Sequence, residues 1–314
     1  MAIEEDVAPL WVKRLILDLM YYVIYGFLYL LSLLPWRVLY FISDTVYLLL
    51  YYLIRYRKEV VMSNLFIAFP EKTLEERTKI AKEFYHNFLD TFIETLKFLS
   101  LSDKGFSKRL TGNFELLSEV YATGKNVQLH SGHFFNWEYM NWGLARNIPY
   151  PLISVYAPIE NKAFQKVMLK LRGKYNPILV STAEFQSRFR QIAKDRFALA
   201  LIADQNAGIV QKAYWLPFFG KLTPFVTGPE KTARIYDTTV VFAHFYKVKR
   251  GFYHVNFEVF TTAPGKTVRG EITKGYVNYL EKCIRSKPAN YLWSHRRWKH
   301  EFKEEYRRNL EKFG

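Results

Sequence analysis

Cysteine is almost absent from this sequence, which contains only Cys283. A single cysteine cannot form an internal disulfide and leaves no cysteine cluster that could bind zinc. The sequence also lacks internal repeats and low-complexity tracts, so no repeat architecture is indicated. We therefore expect a globular protein whose folded part lies in a reducing compartment, the cytosol.

Acidic residues are few relative to basic ones. The chain has 29 Asp and Glu against 45 Lys and Arg, which gives a formal net charge of +16. This charge implies an anionic partner, such as nucleic acid, an anionic membrane surface, a phosphorylated lipid or an acidic carrier protein. The sequence contains no recognised nucleic-acid-binding motif. Aromatic residues make up 18% of the chain, and because Tyr and Trp settle at membrane–water interfaces, the composition favours lipid.

Two long hydrophobic runs, Leu15–Leu34 and Val38–Ile54, fill most of the first sixty residues. Each run contains one charged residue, Asp18 in the first and Asp44 in the second. The first run is long enough to cross a hydrocarbon core of about 30 Å. Basic residues flank the pair, which fits a hairpin with both ends in the cytoplasm and equally fits helices on the membrane surface. No small-residue cleavage site follows, so we expect residues 1–60 to form a hydrophobic helical membrane anchor.

A capping-box pattern, Thr73 with Glu76, predicts the start of an amphipathic helix. Apolar residues then recur at helical spacing at Ile80, Phe84, Phe88, Phe92, Leu96 and Leu99. The segment from Lys299 onward is rich in charge and predicts a solvated helix at the end of the chain.

From Gly124 onward, short apolar runs alternate with helical segments. The predicted strands are Val127–Leu129, Leu152–Val155, Ile178–Val180, Ala198–Ala203, Thr239–Phe245 and Tyr253–Phe260. The predicted helices are Trp137–Arg146, Asn161–Tyr175, Ala183–Lys194, Gly228–Tyr236 and Glu271–Arg285. This alternation is typical of an α/β fold, here a mixed, largely parallel sheet flanked by helices, in which later strands can be antiparallel. We assign residues 61–314 to this domain.

The stretch from His130 to Glu138, HSGHFFNWE, directly follows the predicted strand Val127–Leu129. In an open α/β sheet, ligands bind at the carboxyl ends of the strands. Gly132 permits a tight turn there, so His133 can project at the junction between strand and helix. Glu138 can then hold one imidazole nitrogen of His133 while the other nitrogen takes a proton.

Neither a cysteine nor a Gly-x-Ser-x-Gly sequence lies near this stretch, so a base is present without a protein nucleophile. We infer direct transfer, in which His133 deprotonates a hydroxyl of the substrate and that hydroxyl attacks an activated acyl group. A metal site is the rival interpretation, but His130-x-x-His133 lacks the HExxH pattern and a second ligand cluster. We therefore expect no metal and no cofactor, and we expect His130 to be a structural neighbour that hydrogen-bonds the loop.

Two single charged residues and one basic run have two interpretations each. Asp204 follows the predicted strand Ala198–Ala203, where function is favoured, although a loop cap is the alternative. Arg172, within a predicted helix, is either a catalytic or phosphate contact or a cation on the helix surface. The basic run His295–Lys299 either contacts phosphates or a lipid surface or forms a solvated basic face. These alternatives stay open on sequence alone.

Five segments, taken in their order along the chain, resemble one protein family. They are GHFFNWE, ADQN, PFFGK, VTGPEKTAR and YLWSHRRWK. With the hydrophobic N-terminus, they make the sequence similar to the bacterial late acyltransferases of lipid A biosynthesis, the lauroyl/myristoyl type. That family lies within the glycerophospholipid-type acyltransferases with a His-x4-Asp/Glu motif. The resemblance covers almost the whole chain. It implies that His133 is the general base, that Glu138 is its partner, and that Arg172 and Asp204 complete the site.

The resemblance also implies substrates and partners. The acyl donor would be carried on acyl carrier protein, or sometimes on coenzyme A. The acceptor would be a hydroxyl of a hydroxyacylated, phosphorylated membrane glycolipid, a lipid A precursor. The enzyme would act at the bacterial inner membrane, with its catalytic domain on the cytoplasmic face against an anionic surface and without a nucleic-acid partner.

One departure from the family pattern concerns the acceptor. Many members have Tyr-Arg-Pro where this chain has Tyr156-Ala157-Pro158. The change removes a cation that could meet phosphate or the carrier. Another glycolipid or an aminolipid is therefore the alternative acceptor. A basic membrane- or nucleic-acid-binding protein without catalytic activity is the alternative from a different functional class.

Overall fold

The computed structural model describes residues 9–306 of the chain. Its α-helices are α1 Leu10–Leu33, α2 Trp36–Leu48, α3 Lys58–Ala68, α4 Leu74–Lys97, α5 Asp103–Ser107, α6 Glu115–Ala122, α7 Trp137–Asn147, α8 Lys162–Arg172, α9 Phe185–Ile192, α10 Gly228–Ile235 and α11 Glu271–Ser286. Its strands are β1 Leu110–Gly112, β2 Val127–Ser131, β3 Leu152–Tyr156, β4 Ile178–Ser181, β5 Ala198–Ile202, β6 Tyr214–Phe218, β7 Lys221–Phe225, β8 Thr239–Lys249 and β9 Phe252–Thr261.

Seven of the strands form one sheet in the order β1-β9-β8-β2-β5-β3-β4. Strands β8, β2, β5, β3 and β4 run parallel to one another, whereas β9 is antiparallel to β8. Every residue of β2 is buried, as expected for a central strand whose two faces are both covered. The predicted α/β fold with a largely parallel sheet and an antiparallel later strand is confirmed.

All the predicted strands and helices of this domain form, with ends that differ by a few residues. The sequence did not predict β1 or the separate antiparallel hairpin of β6 and β7. Phe219 and Gly220 join these two strands, and both have positive φ, 51° and 74°. Two-residue turns of this kind usually carry Asn-Gly, so Phe-Gly gave no hairpin signal.

The predicted helix beginning at Lys299 is wrong for residues 299–303, which have no helical structure, and a short 3-10 turn covers Glu304–Tyr306. Aromatic contacts hold this irregular segment, because the rings of Phe302 and Tyr306 lie 5.4 and 5.3 Å from the ring of Trp215. The rest of the predicted helix, residues 307–314, lies outside the described residues, as do residues 1–8 of the predicted anchor.

The two N-terminal helices pack against the α/β domain. Both are long and apolar enough to cross a membrane, over Trp11–Leu33 and over Trp36–Ile54, where a π-helical turn extends α2. Tyr21, Tyr47 and Tyr51 are buried in the main hydrophobic core. The predicted α4 begins with its capping box, in which Thr73 and Glu76 exchange two hydrogen bonds. The boundary at residue 60 between anchor and domain stays a prediction.

Candidate active site

His133 and Asp204 follow the carboxyl ends of two neighbouring parallel strands, β2 and β5. These strands pair in register from Val127 with Ala198 to Ser131 with Ile202. The His133 Nδ1 atom lies 2.5 Å from Asp204 Oδ1, and the His133 backbone N–H donates to Oδ2 at 3.0 Å. Strand pairing therefore brings together two residues that are 71 positions apart in the sequence.

Electrostatics keep the Asp204 carboxyl ionised. Burial alone would raise the pKa of the Asp204 carboxyl, but the charge of His133 and hydrogen bonds from His133 and Tyr291 lower that pKa to about 2. Asp204 is therefore ionised at neutral pH and only accepts hydrogen bonds, so Nδ1 of His133 carries the proton. When the ring is neutral, Nε2 is therefore the acceptor nitrogen, and the Gln205 amide donates to it at 3.1 Å. The ring thus presents a base whose side chain is 20% exposed.

The predicted pairing of His133 with Glu138 is wrong, because Glu138 binds Arg172 instead. Arg172 Nη2 lies 2.5 Å from Glu138 Oε1, and Arg172 Nε lies 3.1 Å from both carboxylate oxygens. The nitrogens of the His133 ring face Asp204 and Gln205. Glu138 therefore positions the guanidinium of Arg172 rather than the imidazole.

The start of α7 explains this geometry. Asn136 caps the helix, since its Oδ1 accepts hydrogen bonds from the backbone N–H groups of Glu138 and Tyr139. Glu138 consequently lies in the first turn of α7, and its side chain contacts Arg172, the last residue of α8.

The predicted tight turn forms at Gly132, whose carbonyl accepts a hydrogen bond from the Phe134 N–H at 2.7 Å, but the turn does not require glycine. The φ of Gly132 is outside the positive range that glycine favours, unlike that of Gly124 or Gly220. A Cβ atom at Gly132 would lie 2.5 Å from Cδ1 of Leu280 and 3.1 Å from the Phe134 ring. Glycine is therefore required for the close packing of this segment against α11.

A cavity of about 500 Å³ adjoins the two charged pairs. His133, Glu138, Arg172 and Gln205 line it, together with the polar side chains of Ser131, Asn141, Ser154, Tyr156 and Thr182. Most of the remaining wall is apolar and is formed by Leu129, Met140, Leu144, Val155, Leu179, Ala200, Leu201 and Ile202. An apolar pocket with a few convergent polar groups is the usual form of a small-molecule site.

All four residues predicted for the site are thus brought to one region, in two pairs. His133, Glu138 and Arg172 line the cavity, while Asp204 is 1% exposed and lies behind the imidazole. Arg172 is a partner of a buried carboxylate and not a free cation on the helix surface. Asp204 makes charge-assisted contacts with His133, so the loop-cap interpretation does not describe it.

His130 lies inside the fold, away from the chemistry. Its side chain is buried, and its Nε2 is 2.6 Å from the Gln128 amide nitrogen. Burial lowers the pKa of His130 to about 3, so the ring is neutral at physiological pH. The role is structural, as expected, but the hydrogen-bond partner is Gln128 of the same strand and not the loop.

The sequence analysis missed Tyr291, whose hydroxyl hydrogen-bonds Asp204. Tyr291 reaches this position because it forms an isolated antiparallel bridge with Phe134, next to His133. Tyr291 belongs to the YLWSHRRWK segment that contributed to the family resemblance. That motif was the available signal, but it could not show which atom the hydroxyl contacts.

Arg297, in the same segment, was assigned either to phosphate or lipid contact or to a solvated basic face, yet it is only 1% exposed. Its Nη2 donates to the Pro224 carbonyl at 2.8 Å, and its guanidinium lies 4.3 Å from the Phe225 ring centroid. Burial lowers the pKa of Arg297, whereas attraction to Tyr291 and Asp204 raises it. Arg297 is therefore a buried cation that adds favourable charge near Asp204.

Replacing Tyr291 by Phe should lower kcat by roughly 10- to 100-fold, because a hydrogen bond to a charged acceptor contributes about 1.5–3 kcal/mol. The substitution keeps the ring and removes only the hydroxyl that orients Asp204. Steady-state acyl transfer and thermal unfolding would be measured together, with Tyr246→Phe as the matched control. Unchanged kcat in the Tyr291→Phe protein would show that this hydroxyl does not support the pair.

Comparison with known proteins identifies the family. Residues 12–300 match the model of the bacterial lipid A biosynthesis acyltransferases. The chain is similar to the lipid A biosynthesis palmitoleoyltransferase of Escherichia coli (strain K12), with 23% identity over 282 residues, 87% of this chain and 89% of that relative. A lipid A biosynthesis acyltransferase of Shigella flexneri shows the same identity and coverage. The resemblance of the sequence motifs is confirmed: the chain belongs to the bacterial lipid A biosynthesis acyltransferase family and is an acyltransferase.

Proposed function

We propose that this acyltransferase moves a fatty acyl chain from a thioester, on acyl carrier protein or coenzyme A, to a hydroxyl of a lipid A precursor. The observation that carries the proposal is the His133–Asp204 pair at a cavity whose other walls are mainly apolar. Family membership supports the lipid A class of acceptor. The proposed reaction uses no metal or redox cofactor, in keeping with the prediction from the sequence.

In the first step, Nε2 of His133 removes the proton from the acceptor hydroxyl. The Gln205 amide occupies this nitrogen in the structure, so the hydroxyl must take its place. Asp204 holds the proton on Nδ1 and then stabilises the imidazolium that forms. The adjacent Ser131 is a poor rival as nucleophile, because its hydroxyl is buried and donates to the Ala243 carbonyl at 2.9 Å.

The hydroxyl oxygen then attacks the thioester carbonyl, whose oxygen gains negative charge. Five backbone amides near the site already donate to other acceptors, namely those of His133, Phe134, Phe135, Glu138 and Tyr139. Arg172 lines the cavity, and the Glu138 carboxylate engages its Nε and Nη2. We therefore assign stabilisation of the oxyanion to the guanidinium of Arg172, held in place by Glu138.

Collapse of the tetrahedral species breaks the carbon–sulfur bond and forms the new ester. The thiol of the carrier leaves with the proton that the His133 imidazolium returns. Apolar side chains of the cavity, such as Leu144, Val155 and Leu179, suit the hydrocarbon tail of the acyl group. The base is therefore regenerated without a covalent intermediate on the protein.

The acceptor is proposed to be a phosphorylated glycolipid. A second cavity, of about 360 Å³, is lined by Lys221, Arg296 and Lys299 together with Glu59. The Asn206 amide donates to the Arg296 carbonyl, which places this basic cavity close to the loop that bears Asp204. Ala157, at the position where the sequence departs from the family pattern, lines the active-site cavity and brings no charge. The acceptor phosphate is therefore proposed to bind in the basic cavity.

We place the enzyme at the bacterial inner membrane, with the catalytic domain on the cytoplasmic face. The apolar helices α1 and α2 support membrane attachment. The near absence of cysteine suits the cytosol, where the proposed carrier protein is found.

If acyl carrier protein is the donor, the net charge of +16 should accelerate its encounter with the enzyme. We expect kcat/KM for a carrier-bound donor to fall as ionic strength rises, because salt screens attraction between exposed charges. The same acyl group on a short neutral thioester provides the control. Equal salt dependence of the two donors would rule out electrostatic docking of the carrier.

The function is tested by incubating the purified protein with a labelled acyl-carrier thioester and an acceptor panel. The panel contains a hydroxyacylated lipid A precursor, its dephosphorylated form and an aminolipid. We expect an alkali-labile labelled product from the phosphorylated precursor. Product from the aminolipid alone would support the alternative acceptor. No product from any acceptor, with carrier or coenzyme A thioesters, would contradict the proposal.

A further inference from the structure

Helix α1 contacts charged residues of the domain along most of its length. Near its start, the Lys166 ammonium lies 2.7 Å from Asp18 Oδ1. At its end, Lys97 Nζ donates to the carbonyls of Ser32 and Leu34 at 2.8 and 3.0 Å. Asp18 and Ser32 are separated by about 21 Å of helix, at a rise of 1.5 Å per residue. Most of an apolar segment that could cross a bilayer is therefore tied to helices α8 and α4.

Helix α2 lies along α4 in the same manner. Its contacts, from one end to the other, are Tyr40 with Glu94, Ser43 with Asp90, Tyr47 with His86 and Tyr51 with Tyr85. The partner positions on α4 decrease as those on α2 increase, so the helices are antiparallel and in contact over about 16 Å. A helix in this position can cross a bilayer only if α4 crosses with it.

The contact between α2 and α4 includes charges that are incompatible with hydrocarbon. Arg250, from the turn between β8 and β9, binds Asp44 of α2 at 2.6 Å and Asp90 of α4 at 2.7 Å. Lys247 adds a further contact with Asp90 at 2.9 Å. Placing such a cluster at the centre of a bilayer is costly, and α4 also carries Glu83 and other charges.

The opposite faces of the two helices are apolar and exposed. On α1 they carry Leu15, Leu19, Tyr22, Val23, Phe27 and Leu30, and on α2 and its π-helical end Val38, Phe41, Leu48, Tyr52 and Leu53. Phe41 and Leu53 are 72% and 76% exposed. A contiguous apolar surface of this size on a folded protein marks an interaction site. Exposed Arg37 and Arg55, at the two ends of the α2 segment, suit anionic lipid headgroups.

We propose that α1 and α2 lie in the plane of one membrane leaflet, with their exposed apolar faces in the lipid, and do not cross the bilayer. The inference rests on the membrane attachment proposed above. It places the turn at Pro35–Arg37 on the same side of the membrane as the catalytic domain. A spanning hairpin would place that turn on the opposite side.

The test uses single cysteines in a Cys283→Ser protein, since Cys283 is the only native cysteine. Arg37→Cys is the reporter. Arg55→Cys is the matched control, because it lies on the domain side in either arrangement. Inverted inner-membrane vesicles and spheroplasts carrying each protein are treated with a membrane-impermeant maleimide.

We expect Arg37→Cys to react in inverted vesicles without detergent, as Arg55→Cys does, and to stay unreacted in spheroplasts. Reaction of Arg37→Cys only in spheroplasts, with Arg55→Cys reacting only in vesicles, would overturn the in-plane arrangement. Recovery of the protein in the soluble fraction would overturn membrane attachment itself. Failure of acyl transfer with the expected labelling would overturn the enzymatic proposal and leave the in-plane arrangement standing.

Discussion

Replacing His133 by Ala should lower kcat by about 10³–10⁴-fold, because it removes the base that accepts the proton of the acceptor hydroxyl. The side chain is partly exposed at the cavity and makes no contribution to the hydrophobic core, so the protein should stay folded. Acyl transfer from a labelled thioester measures the loss, and thermal unfolding with membrane fractionation checks the fold.

His254→Ala is the matched control, since this histidine hydrogen-bonds Thr111 on strands away from the cavity. Its kcat should equal that of the unmodified protein. Substantial transfer by a well-folded His133→Ala protein would reject the assignment of His133 as the base.

Replacing Asp204 by Asn should lower kcat by about 10³–10⁴-fold, even though size and position are preserved. The ionised Asp204 holds the proton on Nδ1 of His133 and leaves Nε2 unprotonated, so that Nε2 can act as base. An Asn amide can instead donate to Nδ1, which moves the proton to Nε2 and abolishes the base. Steady-state kinetics of the folded variant provide the measurement.

Two comparisons distinguish the role of the His133–Asp204 pair from that of the Glu138–Arg172 pair. Glu138→Gln should lower kcat less than Asp204→Asn does, because Glu138 acts on Arg172 and not on the imidazole. The double variant His133→Ala, Asp204→Asn should be no slower than His133→Ala alone, since residues that act as a unit are not additive. A larger loss in Glu138→Gln than in Asp204→Asn would assign the base partner to Glu138 and contradict the structure.

The region of the site could be predicted from the sequence because a simple rule applies to parallel sheets. His133 and Asp204 each follow a short apolar run that reads as a buried strand. In the sheet, those runs are β2 and β5, and their carboxyl ends are adjacent. The rule needs only the strands themselves, and hydrophobic periodicity predicted those correctly.

Which acid contacts His133 could not be predicted, because the answer depends on strand order. Glu138 is five positions from His133 in sequence and was the natural choice. The cap at Asn136 starts α7 so that Glu138 faces Arg172 at the end of α8. Asp204 becomes the partner only because β5 is inserted beside β2, a choice that no local pattern contains.

The burial of Arg297 could not be predicted from the sequence either. A basic run such as His295–Lys299 is usually solvated, and Arg296 and Lys299 are indeed exposed. Arg297 is buried because the segment returns across β7, where the Pro224 carbonyl and the Phe225 ring accept its guanidinium. Such long-range contacts follow from the path of the chain and not from composition.

Tyr291 and Arg297 also determine at what point in synthesis of the chain the His133–Asp204 site is complete. During translation, His133 and Asp204 leave the ribosome long before the segment that buries and orients them. A nascent chain that has reached β9 therefore contains His133 and Asp204 but not yet Tyr291 and Arg297. A chain that lacks the segment from Tyr291 to Arg297 therefore lacks the hydroxyl that hydrogen-bonds Asp204 and the buried cation near it.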